Sequence, residues 1–160
     1  MSRFGRTFTK IIMPRGVKQV EQDNRHGVRN IVTTLNIPMN TVGVGPCVAV
    51  GVNAETGRAS MAHLDSESDV DTMVGAMVKS IGDPDQLISF VAGGNDVTGA
   101  GIFEHVCGLL DTPTSNTYST RRTGECIDVY YEPATQQVVI YNQNKPGVGV
   151  VKQIISLKPA

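Results

Sequence analysis

Cys47 and His63 are the two side chains of this 160-residue sequence whose types and spacing can support nucleophilic chemistry. A free thiol titrates near 8.5 and is mostly protonated at neutral pH, whereas a neighbouring imidazolium stabilises the thiolate and can lower that value by several units. The same imidazole can pass its proton to a departing amine. The pair therefore suits attack on an amide carbonyl, loss of the amine, and hydrolysis of the resulting thioester. Residue types alone leave a second reading open, in which Cys47 is a small buried hydrophobe and His63 a core histidine with its hydrogen bonds satisfied.

The element that must position the pair is a hairpin. Val48, Val50 and Val52 alternate with Cys47, Ala49 and Gly51, the period of two that a strand imposes, and the small residues make an unusually open face. Asn53, Glu55 and Gly57 supply turn chemistry before a second strand over 58–64. A turn centred near Glu55 pairs residues whose numbers sum to 110: Cys47 with His63, Ala49 with Met61, Gly51 with Ala59. Directly opposed Cβ atoms lie about 4.5–5.5 Å apart. A register slip can put the two side chains on opposite faces. Gly43, Gly45 and Pro46 leave the approach to Cys47 open to a planar amide, with backbone N–H groups of that stretch available to an oxyanion.

Three cysteines, Cys47, Cys107 and Cys126, form an odd set without CxxC or Cys/His zinc spacing, so neither a disulfide framework nor a metal site is expected. The chemistry needs no cofactor, and a reducing compartment is the simpler expectation. Cys126 reads as structural. A papain-like arrangement of Cys47, His105 and Asp128 is a competing enzyme reading. Papain-type nucleophiles sit at helix starts, however, and Cys47 lies in a valine-alternating strand.

Around the hairpin, strands are expected at 7–13, 30–37 and 41–52, and polar residues fill 14–29. Ser66 and Ser68 offer helix caps, and Val70, Met73, Val74, Met77, Val78 and Ile81 recur at helical spacing. A strand over 87–92, a short helix over 102–110, a polar loop over 111–120, a hairpin of 127–131 with 138–141, and a last strand over 148–157 follow. The expected class is α+β, one domain over 1–160 with mostly antiparallel sheet packed against two helices.

Composition narrows the function. The longest apolar run, 42–52, contains three glycines and a proline, so no membrane insertion is expected. The amino-terminal apolar stretch is too short for a signal-peptide core and reads as mature sequence. Net charge is −1, with seven Lys/Arg against two acids over 1–30 and ten acids against two bases over 53–111. Eight aromatics without Trp make no array for nucleic acid.

The stretch Thr41-Val42-Gly43-Val44-Gly45-Pro46-Cys47-Val48-Ala49-Val50, with Met61-Ala62-His63 ending sixteen residues after the cysteine, resembles the signature of the CheD family of chemotaxis receptor glutamine deamidases. That family carries T-x-G-x-G-S-C-V-A-V and a following A-H. Val91-Ala92-Gly93-Gly94 is similar to its A-G-G segment, Ile102-Phe103-Glu104 to its M-F-E-like stretch, and Arg121-Arg122 to its late R-x-R. The pair is also similar to that of the catalytic domain of cytotoxic necrotizing factor toxins, which deamidate a glutamine of Rho-family GTPases. The resemblance implies a CheD-like α/β sandwich with Cys47 as nucleophile, His63 as general base and acid, and Thr41 as third member of a triad. It implies a protein substrate with an exposed glutamine, met in the cytoplasm of the protein's own cell or of a cell into which it is delivered. Pro46 in place of the usual serine, Leu64-Asp65-Ser66 in place of an apolar run, and a shorter segment after Phe103 depart from the family pattern, so its chemotaxis partners do not carry over. A binding or scaffold domain of the same fold is the non-enzymatic alternative.

Overall fold

The computed structural model describes residues 10–159. Alternating small and branched residues produce strands that can be buried on both faces, and eleven form among the described residues. In chain order these are β1 (Lys10–Ile12), β2 (Lys18–Gln19), β3 (Val32–Leu35), β4 (Met39–Val44), β5 (Val48–Asn53), β6 (Arg58–Leu64), β7 (Ile88–Gly93), β8 (Thr117–Ser119), β9 (Ile127–Glu132), β10 (Gln137–Lys145) and β11 (Val148–Ser156). Helix α1 (Val70–Ser80) precedes β7, and α2 (Val97–Leu110) follows it.

The strands make two sheets. One has the order β1-β11-β10-β9-β4-β2 and the other β3-β6-β5-β7-β8. Pairing is antiparallel except for β2 with β4 and β7 with β8, which run parallel. The fold is thus α+β, a sheet-rich sandwich with two helices. Ala49, Met61, Phe90 and Ala92 of the second sheet pack on Met39, Val129, Tyr131 and Ile140 of the first. Val48, Val50, Val52 and Leu64 point the other way, onto Met73, Met77, Val106 and Leu110 of the helices. The β5 face that reads as open in sequence is therefore the inter-sheet core. Gly51 has no side chain because Phe90 crosses it, and a Cβ there would lie 2.0 Å from the ring. Phe90 in turn meets Tyr131 edge-on, 4.9 Å between centroids, across the sheets.

Three expected boundaries move. The strand expected over 41–52 is two strands, because Gly45-Pro46-Cys47 carries the chain from one sheet to the other. Pro46 has no N–H for a ladder. Helix α1 is capped by Asp69, whose carboxylate accepts the Thr72 N–H at 3.3 Å, while the Ser68 hydroxyl donates instead to Asp23 at 2.6 Å. Helix α2 begins at Val97, five residues before expectation. Gly99 and Gly101 weaken its first turn in sequence, yet the Asp96 carboxylate caps it through the Gly99 N–H at 2.7 Å. Short strands β2 and β8 lie in segments expected to be loops, and the expected first strand over 7–13 is described only from residue 10. No helix among the described residues is long and apolar enough to cross a membrane.

Candidate active site

The β5–β6 turn closes with the Ala54 N–H donating to the Arg58 carbonyl, and opposed residues sum to 112 rather than 110. Ala49 therefore faces His63, Gly51 faces Met61, and Asn53 faces Ala59. The expected direct opposition of Cys47 and His63 is corrected by two residues. Because a strand repeats every two residues, the slip leaves both on one face. They become diagonal neighbours, a placement with Cβ atoms roughly 7–8 Å apart or somewhat less, within the reach of an imidazole.

Cys47 ends the crossover between the sheets and is 8% exposed. Its carbonyl accepts the Gly94 N–H at 2.9 Å, and the Gly45 carbonyl accepts the Asn95 N–H at 3.1 Å, so the loop is pinned to the end of β7. Two glycines permit this approach. A Cβ on Gly93, whose φ is +110°, would lie 2.6 Å from the Cys47 carbonyl oxygen, and one on Gly99 would lie 2.1 Å from that of Pro46. The first turn of α2, whose leading N–H groups a helix leaves without internal partners, thus abuts the loop that carries the thiol.

His63 is buried on β6, and its partner lies on the opposite sheet. The Thr41 hydroxyl on β4 is 2.7 Å from the Val20 carbonyl oxygen and 2.7 Å from His63 Nδ1. A hydroxyl has one proton, and the carbonyl can only accept, so Thr41 donates to Val20 and accepts from Nδ1–H. That elimination makes Nε2 the unprotonated nitrogen. Among the described residues, Nε2 is buried without a hydrogen-bond partner. Leaving such a group unpaired costs about 1–3 kcal/mol.

Burial pushes the His63 pKa down to about 4, against a smaller opposing pull from Asp65. Burial pushes the Cys47 thiol up, and the charges of Asp65 and Asp96 add to this. The resting pair is therefore neutral thiol and neutral imidazole, not the thiolate and imidazolium expected from residue types. No hydrogen bond joins the two side chains at rest. A neutral imidazole with a free Nε2 is the form in which histidine can remove a proton.

A cleft of about 340 Å³ opens at the thiol, lined by Gln22, Pro46, Cys47, Asp65, Ser66, Asp96 and Thr98. The backbone of Gln22 pairs in parallel with that of His63, and Asp65 lies two residues beyond it. A larger cleft of about 620 Å³ at the far end of the hairpin, around Glu55 and Arg58, is lined by no cysteine or histidine among the described residues.

Other expected groups lie elsewhere. His105 is exposed on α2 and contacts the Asp71 carboxylate at 2.7 Å. Asp128 accepts the backbone N–H of Gly43 at 2.9 Å and of Gln143 at 2.6 Å. The papain-like set of Cys47, His105 and Asp128 is not brought into hydrogen-bonded contact, and the Gly43 N–H is already engaged rather than free for an oxyanion. Cys126, expected as structural, is exposed, with its sulfur 2.9 Å from where a Gly45 Cβ would be. Asp65, Asp96 and Thr98 beside the thiol have no signal in sequence as site residues, since each reads as loop or cap. Among the described residues no cluster of His, Cys, Asp and Glu is placed to hold a metal ion.

Neither a scan against protein-family models nor a search of curated proteins finds a match for this chain.

Proposed function

We propose that this protein is a cysteine-dependent amidohydrolase acting on a side-chain carboxamide of another protein, a glutamine by its resemblance to CheD-like deamidases. The observation that carries the reading is the Val20–Thr41–His63 relay, which fixes the tautomer and leaves a buried Nε2, unpaired among the described residues, on the sheet face that bears Cys47. A core histidine without a task would have that nitrogen satisfied.

In this mechanism His63 Nε2 takes the Cys47 proton as sulfur attacks the carboxamide carbon. The tetrahedral intermediate collapses by breaking its C–N bond, and the imidazolium protonates the leaving ammonia. Water, losing a proton to the same nitrogen, hydrolyses the thioester to a carboxylate and returns the thiol. Thr41 acts as a positioning residue, since its hydroxyl holds Nδ1–H. Burial raises the energy of the imidazolium, so each proton is held only during a step.

The test is mass spectrometry of glutamine-containing protein and peptide substrates incubated with the full chain. A gain of about one dalton with release of ammonia, absent with Cys47→Ala and with His63→Ala, supports the reading. A Cys47→Ala protein that retains full activity would refute it. A scaffold reading is favoured if the wild-type protein releases ammonia from none of these substrates.

A further inference from the structure

The cleft at Cys47 carries charge of one sign. It is lined by two carboxylates, Asp65 and Asp96, and among the described residues by no lysine, arginine or histidine. Asp65 is buried and fixed: its Oδ2 accepts from Gln22 Nε2 and from the Asn24 N–H, both at 3.0 Å, and its Oδ1 from the Glu67 N–H at 2.9 Å. These bonds, with one from Ser68, hold its carboxyl below the usual range against the opposing effect of burial. Continuing the β5–β6 register one step past the Val48–Leu64 pair sets Asp65 opposite Cys47. Asp96 is fixed from the other side by its bond to the Gly99 N–H.

Both carboxylates have structural work in their own loops, and an acidic rim alone would say little. Beside it lies the Cys47 thiol, on the sheet face shared with His63, which is 2% exposed and whose Nε2 has no hydrogen-bond partner among the described residues. A nucleophile that must become anionic is normally surrounded by cations. Here both acidic or basic side chains that line the cleft with the thiol are carboxyl groups, an arrangement that a positive charge on an incoming substrate would offset.

We propose that the cleft selects carboxamides presented on a cationic segment, with a lysine or arginine close in sequence to the target residue seated between Asp65 and Asp96. Docking brings the carboxamide to sulfur and cancels the repulsion that the two carboxylates impose on a thiolate. Substrate charge thereby gates the nucleophile, and a neutral or acidic segment meets a protonated thiol. This inference rests on the amidohydrolase reading and adds the substrate class.

Two measurements on the full chain with Cys107→Ala and Cys126→Ala test it. In the first, Cys47 is modified by methanethiosulfonates bearing an aminoethyl, a hydroxyethyl or a sulfonatoethyl group, each rate normalised to a small free thiol. The cationic reagent should be favoured over the anionic one by tenfold or more at low salt. The ratio should shrink several-fold in 0.5 M salt, roughly where screening reaches a few ångströms, and with Asp96→Asn, which retains a capping side chain. Equal normalised rates would overturn the inference. In the second, a synthetic peptide pool with one central glutamine and randomised flanks is incubated with the protein, and the one-dalton products are sequenced. Enrichment of lysine and arginine over aspartate and glutamate near the glutamine, reduced by Asp96→Asn, is the expected result. Products that depend on Cys47 but carry no charge bias overturn the inference and leave the amidohydrolase reading. No product that depends on Cys47 overturns both.

Discussion

Lowering the pH from 7 to 5 should destabilise this protein through His63, and replacing that residue should abolish the effect. The folded-state pKa of His63 is lowered to about 4, whereas an unfolded histidine titrates near 6.5. Between those values the unfolded chain binds a proton that the folded chain does not. The stability His63 allows is thus fully present above about pH 6.5 and is lost as pH falls toward 4. At about 1.4 kcal/mol per unit, the whole shift corresponds to about 3 kcal/mol, of which about 2 kcal/mol is lost between pH 7 and 5. Carboxylates held below their usual range, such as Asp65, release their contribution only at lower pH and do not intrude in that interval. The assay is urea unfolding at pH 7, 6 and 5 for the wild type and His63→Gln, compared as differences so that exposed His26 and His105 cancel. An equal loss in the two proteins would refute the neutral, buried imidazole and with it the assignment of Nε2 as a free base.

Four further variants have expected outcomes. Thr41→Val leaves the Val20 carbonyl and His63 Nδ1–H without partners, so unfolding should be easier by about 2–4 kcal/mol. The Nδ1–H signature in nitrogen NMR should also be lost, while Thr41→Ser retains both properties; an unchanged signature in Thr41→Val would show that another group fixes the tautomer. Gly99→Ala should cost about 1–3 kcal/mol or more in thermal or urea unfolding, since its Cβ meets the Pro46 backbone oxygen. Gly101→Ala, two residues on and with open space around it, should stabilise by about 0.5–1 kcal/mol. His105→Ala should cost under about 1 kcal/mol, because its contact with Asp71 is exposed, and should leave Cys47 chemistry intact. Loss of that chemistry would restore the papain-like arrangement.

What the sequence determined by itself is the local periodicity and what depends on it. Alternation of Val48, Val50 and Val52 with Cys47, Ala49 and Gly51 assigns faces whichever turn closes the hairpin, and a two-residue error in register leaves Cys47 and His63 on the same one. Helical spacing from Val70 onward located α1 for the same reason, since a period is carried by neighbours in the chain. The beginning of α2 was not legible, because its glycines weaken the helical pattern where contact with the Pro46 carbonyl demands a missing Cβ. Only the tertiary structure decided that 41–52 divides between two sheets, and that division sets Thr41 across the interface from His63. It also decided the charge state of the pair. The thiol's protonation follows burial and the carboxylates of Asp65 and Asp96, 18 and 49 residues from Cys47 in sequence, and that of His63 follows burial between the two sheets, which no local pattern encodes.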